Sequence, residues 1–205
     1  MEQIDGRSGF MKRYVFALLL AGCICLAGCA QPVPRQAADG ATWDEHWVSV
    51  GNVIGIDTPE GLTPRENNDA LTANGMYYAT WSIGEAEPYT NEDGDEAQLY
   101  DAQVYVLLAG YNEAEKAKSS AAEWMDMASS QYAIEGTSTE TCNGQEFTVI
   151  TYTYESDTNP YARGASAFGV YRNYAISVEL SCQEKFDGSA QEILAGFLSN
   201  CHYAA

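Results

Sequence analysis

Histidine is nearly absent from this chain: its 205 residues hold two, His46 and His202. Neither has a cysteine or carboxylate at metal-ligand spacing, so no metal site of that kind is expected. A serine–histidine triad would have to use one of the two. No nucleophile elbow accompanies them, because Gly164-Ala165-Ser166-Ala167-Phe168 lacks the last glycine of G-x-S-x-G. Positive charge is scarce as well, with 10 Lys and Arg against 29 Asp and Glu and a formal charge of −19. That balance repels nucleic acid and anionic headgroups and argues against a phosphate site. Glycine-rich phosphate loops, paired catalytic carboxylates and basic aromatic stripes are missing too. The expectation is a protein without cofactor, metal or nucleic-acid partner, and not an enzyme.

What is present begins at Met11. Met11-Lys12-Arg13 is a short basic stretch, and Tyr14 to Leu26 is apolar. That run is shorter than the ~20 residues a membrane span needs and fits a secretory signal. It ends in Leu26-Ala27-Gly28-Cys29, which resembles the lipobox of bacterial lipoproteins. The resemblance implies cleavage before Cys29 and lipid on its thiol. Leu20-Ala21-Gly22-Cys23 matches the same pattern, so Cys23 is the alternative, although it leaves an apolar stretch of only about seven residues. Residues 1–28 are therefore expected to be a signal peptide, with Met11 as the favoured start. Two or three acyl chains on one cysteine hold stably, where one holds marginally. The expected location is the extracytoplasmic side of a cell membrane. Ala30 follows Cys29, so the familiar aspartate retention signal of a two-membrane host is lacking.

Losing residues 1–28 removes two acidic and three basic residues and leaves 27 and 7, a formal charge of −20. Residues 29–45 carry Pro32, Pro34 and Gly40 without periodicity and read as a tether. At ~3.1 Å per extended residue it reaches roughly 45 Å. Residues 46–205 suffice for one globular domain with its own core.

Within that domain, Trp47–Ile56 reads as a strand closed by the turn Thr58-Pro59-Glu60-Gly61. Met76–Ile83 and Leu99–Leu108 read as strands, with an acidic loop over Glu85–Glu96 between them. The period then becomes helical. Asn112 and Glu115 suggest a capping box, and Ala114, Ala117, Ala121, Trp124, Met125 and Ala128 line one face to about Ser129. Tyr132–Cys142 and Gln145–Tyr154 make a hairpin around Asn143-Gly144. Ala165–Tyr171 and Tyr174–Cys182 make a second around Arg172-Asn173. Ser189 and Glu192 then cap a final helix with Ala190, Ile193, Leu194, Phe197, Leu198 and Cys201 on one face. The predicted fold class is α+β: a largely antiparallel sheet of six to seven strands covered by two helices, one per face.

Ile56-Asp57-Thr58-Pro59-Glu60-Gly61 resembles the strand-then-Pro-x-Gly opening of PsbP-like domains. The hairpin Phe168-Gly169-Val170-Tyr171-Arg172-Asn173-Tyr174-Ala175-Ile176, followed by a terminal amphipathic helix, is similar to their ending. The likeness runs from about Trp47 to Tyr203. It implies an α/β/α sandwich acting as a binding or assembly module with no shared catalytic residues. The interaction residues of its photosystem and GTPase-binding branches have no match here.

Three cysteines remain past Cys29: Cys142, Cys182 and Cys201. In a sheet ordered by hairpins Cys142 sits at a tip, Cys182 ends a strand on the opposite edge, and the last helix runs back. A Cys142–Cys201 disulfide is the expected pairing. Cys182, sharing a strand face with Ile176, Val178 and Leu180, is the expected buried thiol. The acidic run offers Asn91, Asp93 and Asp95 as a weak calcium loop, but glycine falls at 94 and Ala102 stands where the closing glutamate belongs. A solvated hairpin loop is favoured over it. Tyrosine is abundant, 14 in all. Tyr77, Tyr78, Tyr100, Tyr105, Tyr152, Tyr154, Tyr171 and Tyr174 fall on strands, where rings pack under helices; an exposed aromatic face that binds a partner is the minority alternative. The functional expectation is a lipid-anchored, non-enzymatic module for an unknown protein, peptide or glycan. An envelope-associated hydrolase is the alternative.

Overall fold

The computed structural model describes residues 47–51, 53–68, 76–90, 94–155 and 159–203. The expected signal peptide over 1–28, the expected tether over 29–45, with Cys23 and Cys29 in them, and His46 lie outside the described residues, as do Asn91 and Asp93.

The first predicted strand is two strands. β1 (Trp47–Val50) and β2 (Ile54–Asp57) pair as an antiparallel hairpin. The turn is possible because Gly51 adopts φ +59, and the ring of Tyr77 lies 2.8 Å from where a Cβ would stand. Only glycine satisfies both demands. The Thr58–Gly61 turn closes as expected, with Leu62 N donating to Pro59 O at 3.1 Å and Gly61 at φ +86.

Next comes a strand the sequence does not announce, β3 (Thr63–Asn68), whose polar residues and Pro64 suit a sheet edge. β4 (Met76–Ile83) follows as expected. The predicted acidic loop holds a small hairpin, β5 (Glu87–Thr90) with β6 (Glu96–Leu99), and β7 begins after it (Ala102–Gly110). Residues 86–99 belong to a compact unit of their own, and the other described elements belong to a second. α1 (Ala114–Gln131) starts from Glu113, whose side chain makes no cap hydrogen bond, so the Asn112/Glu115 capping box is not formed. The hairpins β8 (Ala133–Cys142) with β9 (Gln145–Thr153), and β10 (Arg163–Tyr171) with β11 (Tyr174–Cys182), stand where the turn residues put them. Asn143 and Gly144 take φ +50 and +78, the left-handed pair a two-residue hairpin requires. α2 (Ala190–Ser199) is capped by Ser189, which accepts from Glu192 N. It ends before Cys201, which does not extend the helix face as expected but opens β12 (Cys201–Tyr203), because it pairs with Ile56 of β2.

The main sheet has seven antiparallel strands in the order β3-β4-β7-β11-β10-β9-β8. β11 is therefore central. The expectation that Cys182 ends an edge strand is wrong, because α1 carries the chain to the far edge and the later hairpins work back until β11 meets β7. A second sheet, β1-β2-β12, pairs the first and last strands of the domain around β2.

One face of the large sheet is apolar. Trp81, Val104, Val106, Leu108, Ile176, Val178, Leu180 and Cys182 cluster there with Ile54 and Ile56 of the small sheet and Leu194, Phe197 and Leu198 of α2. Trp81 meets Phe197 edge-on with centroids 4.9 Å apart. Each fully buried side chain of this size contributes about 1.5–3 kcal/mol. α1 packs on the other face over β10 and β11. The result is the α+β sandwich that the periodicities predict.

Candidate functional site

The face beneath and beside α1 differs chemically from its opposite. Register alignment puts Ser82, Gln103, Ser181 and Gly164 in one cross-strand row and Thr80, Tyr105, Glu179 and Ser166 in the next. Strand residues two apart share a face, so β11 alone supplies Ser177, Glu179 and Ser181 to this side and Val178, Leu180 and Cys182 to the other. Thr80, Ser82, Ser166, Ser177, Glu179 and Ser181 are all buried.

Glu179 is the centre. It lies on the central strand, opposite Tyr105 on one side and Ser166 on the other. The Tyr154 hydroxyl donates to Glu179 Oε1 at 3.3 Å and lies 2.7 Å from Ser181 Oγ, which is itself 3.5 Å from the same carboxylate oxygen. The Tyr152 hydroxyl is 3.1 Å from Ser166 Oγ. Tyr132, at the end of α1, stacks on Tyr152 with centroids 4.2 Å apart and meets Tyr154 edge-on at 4.9 Å. Its hydroxyl is buried without a partner of ordinary hydrogen-bond geometry among the described residues.

Burial dominates the electrostatics. It raises the Glu179 carboxyl above its ordinary range, and the hydroxyls of Tyr154, Tyr152 and Ser181 pull it only part of the way back. Burial likewise raises the phenols of Tyr132, Tyr152 and Tyr154, with the field of Glu179 adding to it. A carboxyl enclosed by hydroxyls in a dry site favours its neutral acid form. It can then donate as well as accept, as can each of its neighbours.

Gly164 makes this packing possible. The Tyr152 ring is 2.8 Å, and Leu180 O 2.6 Å, from where its Cβ would be, so a side chain there would displace the ring. Towards the β3 edge, Tyr161 Oη donates to Gln103 Oε1 at 3.1 Å. Arg65 Nε donates to Ser82 Oγ at 2.7 Å, with its guanidinium 4.8 Å over the Tyr100 ring. Tyr78 and Tyr105 lie 5.6 Å apart. Gln103 and Tyr105 keep partial exposure.

Of the residues singled out from sequence, Tyr152 and Tyr154 come together here, on one strand face with Ile150. Tyr78 and Tyr105 flank them across the sheet. Glu179, Ser166, Ser181 and Gln103 were not anticipated, although the alternation in Ala175-Ile176-Ser177-Val178-Glu179-Leu180-Ser181 carries the signal. Asp95 of the weak calcium loop is exposed, and the groups proposed with it, Asn91 and Asp93, are outside the described residues. His202 is exposed, stacks on Trp47 at 5.4 Å and sits 4.0 Å from Asp57 Oδ2.

The cysteines divide as topology requires, with one correction. Cys182 is fully buried in the apolar face. Cys142 and Cys201 are brought to the same corner, yet all three cysteines are free thiols, so the expected Cys142–Cys201 bond is not formed in this structure. The Cys201 thiol is instead turned to α2, donating to Phe197 O at 3.5 Å.

No family model matches the chain, and no curated protein does. Solved structures resemble it. A crystal structure of a protein from Bacteroides thetaiotaomicron VPI-5482 is similar over 76% of this chain at 10% identity and a TM-score of 0.47. The chain covers 46% of that protein, about half its length. The solution structure of cyanobacterial PsbP (CyanoP) from Synechocystis sp. PCC 6803 is similar over 71% of this chain and 94% of its own, at 13% identity and a TM-score of 0.38. The α+β sandwich itself stands on the strands and helices described above.

Proposed function

We propose that the chain is a lipid-anchored extracytoplasmic binding or assembly module that recognises a neutral, hydroxyl- or amide-bearing partner. The recognition face is the α1 side of the large sheet. One observation carries this: one face of the sheet is filled with aliphatic residues, while the other sets buried serine, threonine, tyrosine and Glu179 beside the smaller apolar clusters under α1. Buried hydroxyls and a carboxyl contribute less to a core than aliphatic residues of the same size would, so this face is built for more than packing. α1 lies over β10 and β11, and the partly exposed Gln103 and Tyr105 sit beside it on β7. Tyrosine and glutamine there suit a glycan or peptide through ring faces and neutral hydrogen bonds.

The lipid on Cys29 supplies location. Cys29→Ser is expected to release the protein from the membrane fraction, with mass spectrometry of the native form finding acylated Cys29 as the first residue. An unmodified mature chain starting elsewhere overturns the anchor. A photocrosslinking side chain at position 105 on intact cells is expected to capture a partner that the same group at exposed Glu60 does not. Equal capture at both positions, or none at 105, overturns the face.

A further inference from the structure

The corner where the β8–β9 hairpin meets the end of α2 is built from contacts that the binding face does not use. Asn143, in its left-handed turn, donates from Nδ2 to Ser199 O at 2.8 Å and to Cys201 O at 2.7 Å. The residue before it, Cys142, packs against the buried cluster that contains Cys201. Cys201 is 2% exposed, and its Sγ donates to Phe197 O at 3.5 Å. Cys142 is partly exposed at the end of the edge strand β8. Cys182 cannot compete. It pairs with Ala102 and Arg163 at the far end of β11, eight residues beyond Tyr174, which begins β11 at the end nearer this corner.

We propose that Cys142 and Cys201 are a redox-closable pair, oxidised by an external low-molecular-weight or protein disulfide, with Cys142 as the entry thiol and Cys201 as the resolving thiol. The Cys142 thiolate attacks one sulfur of the external disulfide, forms a mixed disulfide and expels the first thiolate. The Cys201 thiolate then attacks Cys142 Sγ, closes the Cys142–Cys201 bond and expels the second. The two cysteine protons end on the two thiols released. The pair loses two electrons, and the external disulfide gains them.

The order of attack follows from exposure, since only Cys142 offers its sulfur to a partner in solution. The field around the thiols supports a slow latch rather than a cycling redox centre. Burial pushes the Cys201 thiol up to about 12, with Cys142 adding to the shift. Cys142 is raised by burial and then by Glu140. Little thiolate exists at neutral pH in either, so closure accelerates as pH rises. The bond spans about 60 residues and ties the terminal helix to the far-edge hairpin.

The test treats the full reduced chain with oxidised glutathione, blocks remaining thiols and maps every cysteine by mass spectrometry. The expected product links Cys142 to Cys201, leaves Cys182 free until unfolding, and melts roughly 8–15 °C higher than the reduced form. Dithiothreitol reverses both changes. In Cys201→Ser the reaction is expected to stop at a glutathione adduct on Cys142, and in Cys142→Ser no adduct forms on Cys201. A mixed disulfide that persists on Cys142 in the unaltered chain overturns the proposal. So does linkage to Cys182 or to an N-terminal cysteine, or no reaction at either thiol. The unaltered chain decides the matter even if a variant fails to fold.

Discussion

Glu179 works against the usual direction of carboxylate stability. Its proton is held more tightly in the folded chain than in the unfolded one, because burial raises its pKa above the ordinary value of 4.5. As pH climbs past that value the unfolded chain releases a proton that the folded chain keeps, so stability falls through the raised pKa. Glu179→Gln removes the titration and retains the shape. Melting temperature against pH is expected to decline for the unaltered chain above about pH 4.5 by an amount that Glu179→Gln abolishes; parallel curves would show that the carboxyl does not titrate there. Tyr154 supplies the other half of the arrangement. Tyr154→Phe strips the donor from Glu179 and the partner from Ser181 and is expected to cost about 1–3 kcal/mol in chemical denaturation. Which residues share a face was legible at this scale, since Ser177, Glu179 and Ser181 alternate with Val178, Leu180 and Cys182. That the two faces would meet such different surroundings was not, because it depends on strands far away in the chain.

At the scale of elements, turn chemistry and helical period were strong guides and polarity was a poor one. Asn143-Gly144 and Arg172-Asn173 placed both late hairpins, and Ser189 placed the start of α2. β3 and β5–β6 escaped because Thr-Pro-Arg-Glu-Asn-Asn and the acidic run carry no alternating apolar signal; edge pairing and local backbone hydrogen bonds hold them instead. β1 and β2 read as one strand because the break depends on Gly51 and on Tyr77, a residue 26 positions later. The Asn143 clamp gives this scale its prediction. Asn143→Gly keeps the left-handed turn and removes both amide bonds, so it is expected to destabilise by about 1–2 kcal/mol with the hairpin intact. Hydrogen exchange should then rise in β12 and the last turn of α2 while β9 and β10 stay protected. Uniform loss of protection would mean that the clamp does not act locally.

For the whole molecule, the largest part of the core is the apolar layer between the large sheet, α2 and the small sheet, with smaller clusters under α1. Phe197→Ala takes a fully buried ring away from Trp81 and is expected to lower stability by about 3–5 kcal/mol in urea unfolding. A loss below 1 kcal/mol would mean that the helix packs more loosely than its burial indicates. Sandwich architecture and helix-per-face coverage followed from the periodicities. Sheet order did not, since hairpins fix neighbours within a pair and say nothing of where a pair joins the rest. The central position of β11 has a kinetic meaning. β7 waits for a partner some 70 residues further along the chain, and β2 waits for β12 at the very end. Closing such distant contacts is slow, so this domain is expected to belong to the millisecond-to-second folders and not to the microsecond ones. A chain emerging vectorially would hold β7 against β4 alone until residues 174–182 follow. β11 closes the large sheet and β12 the small one, so the domain folds as a unit only once residues through Tyr203 are free to pair.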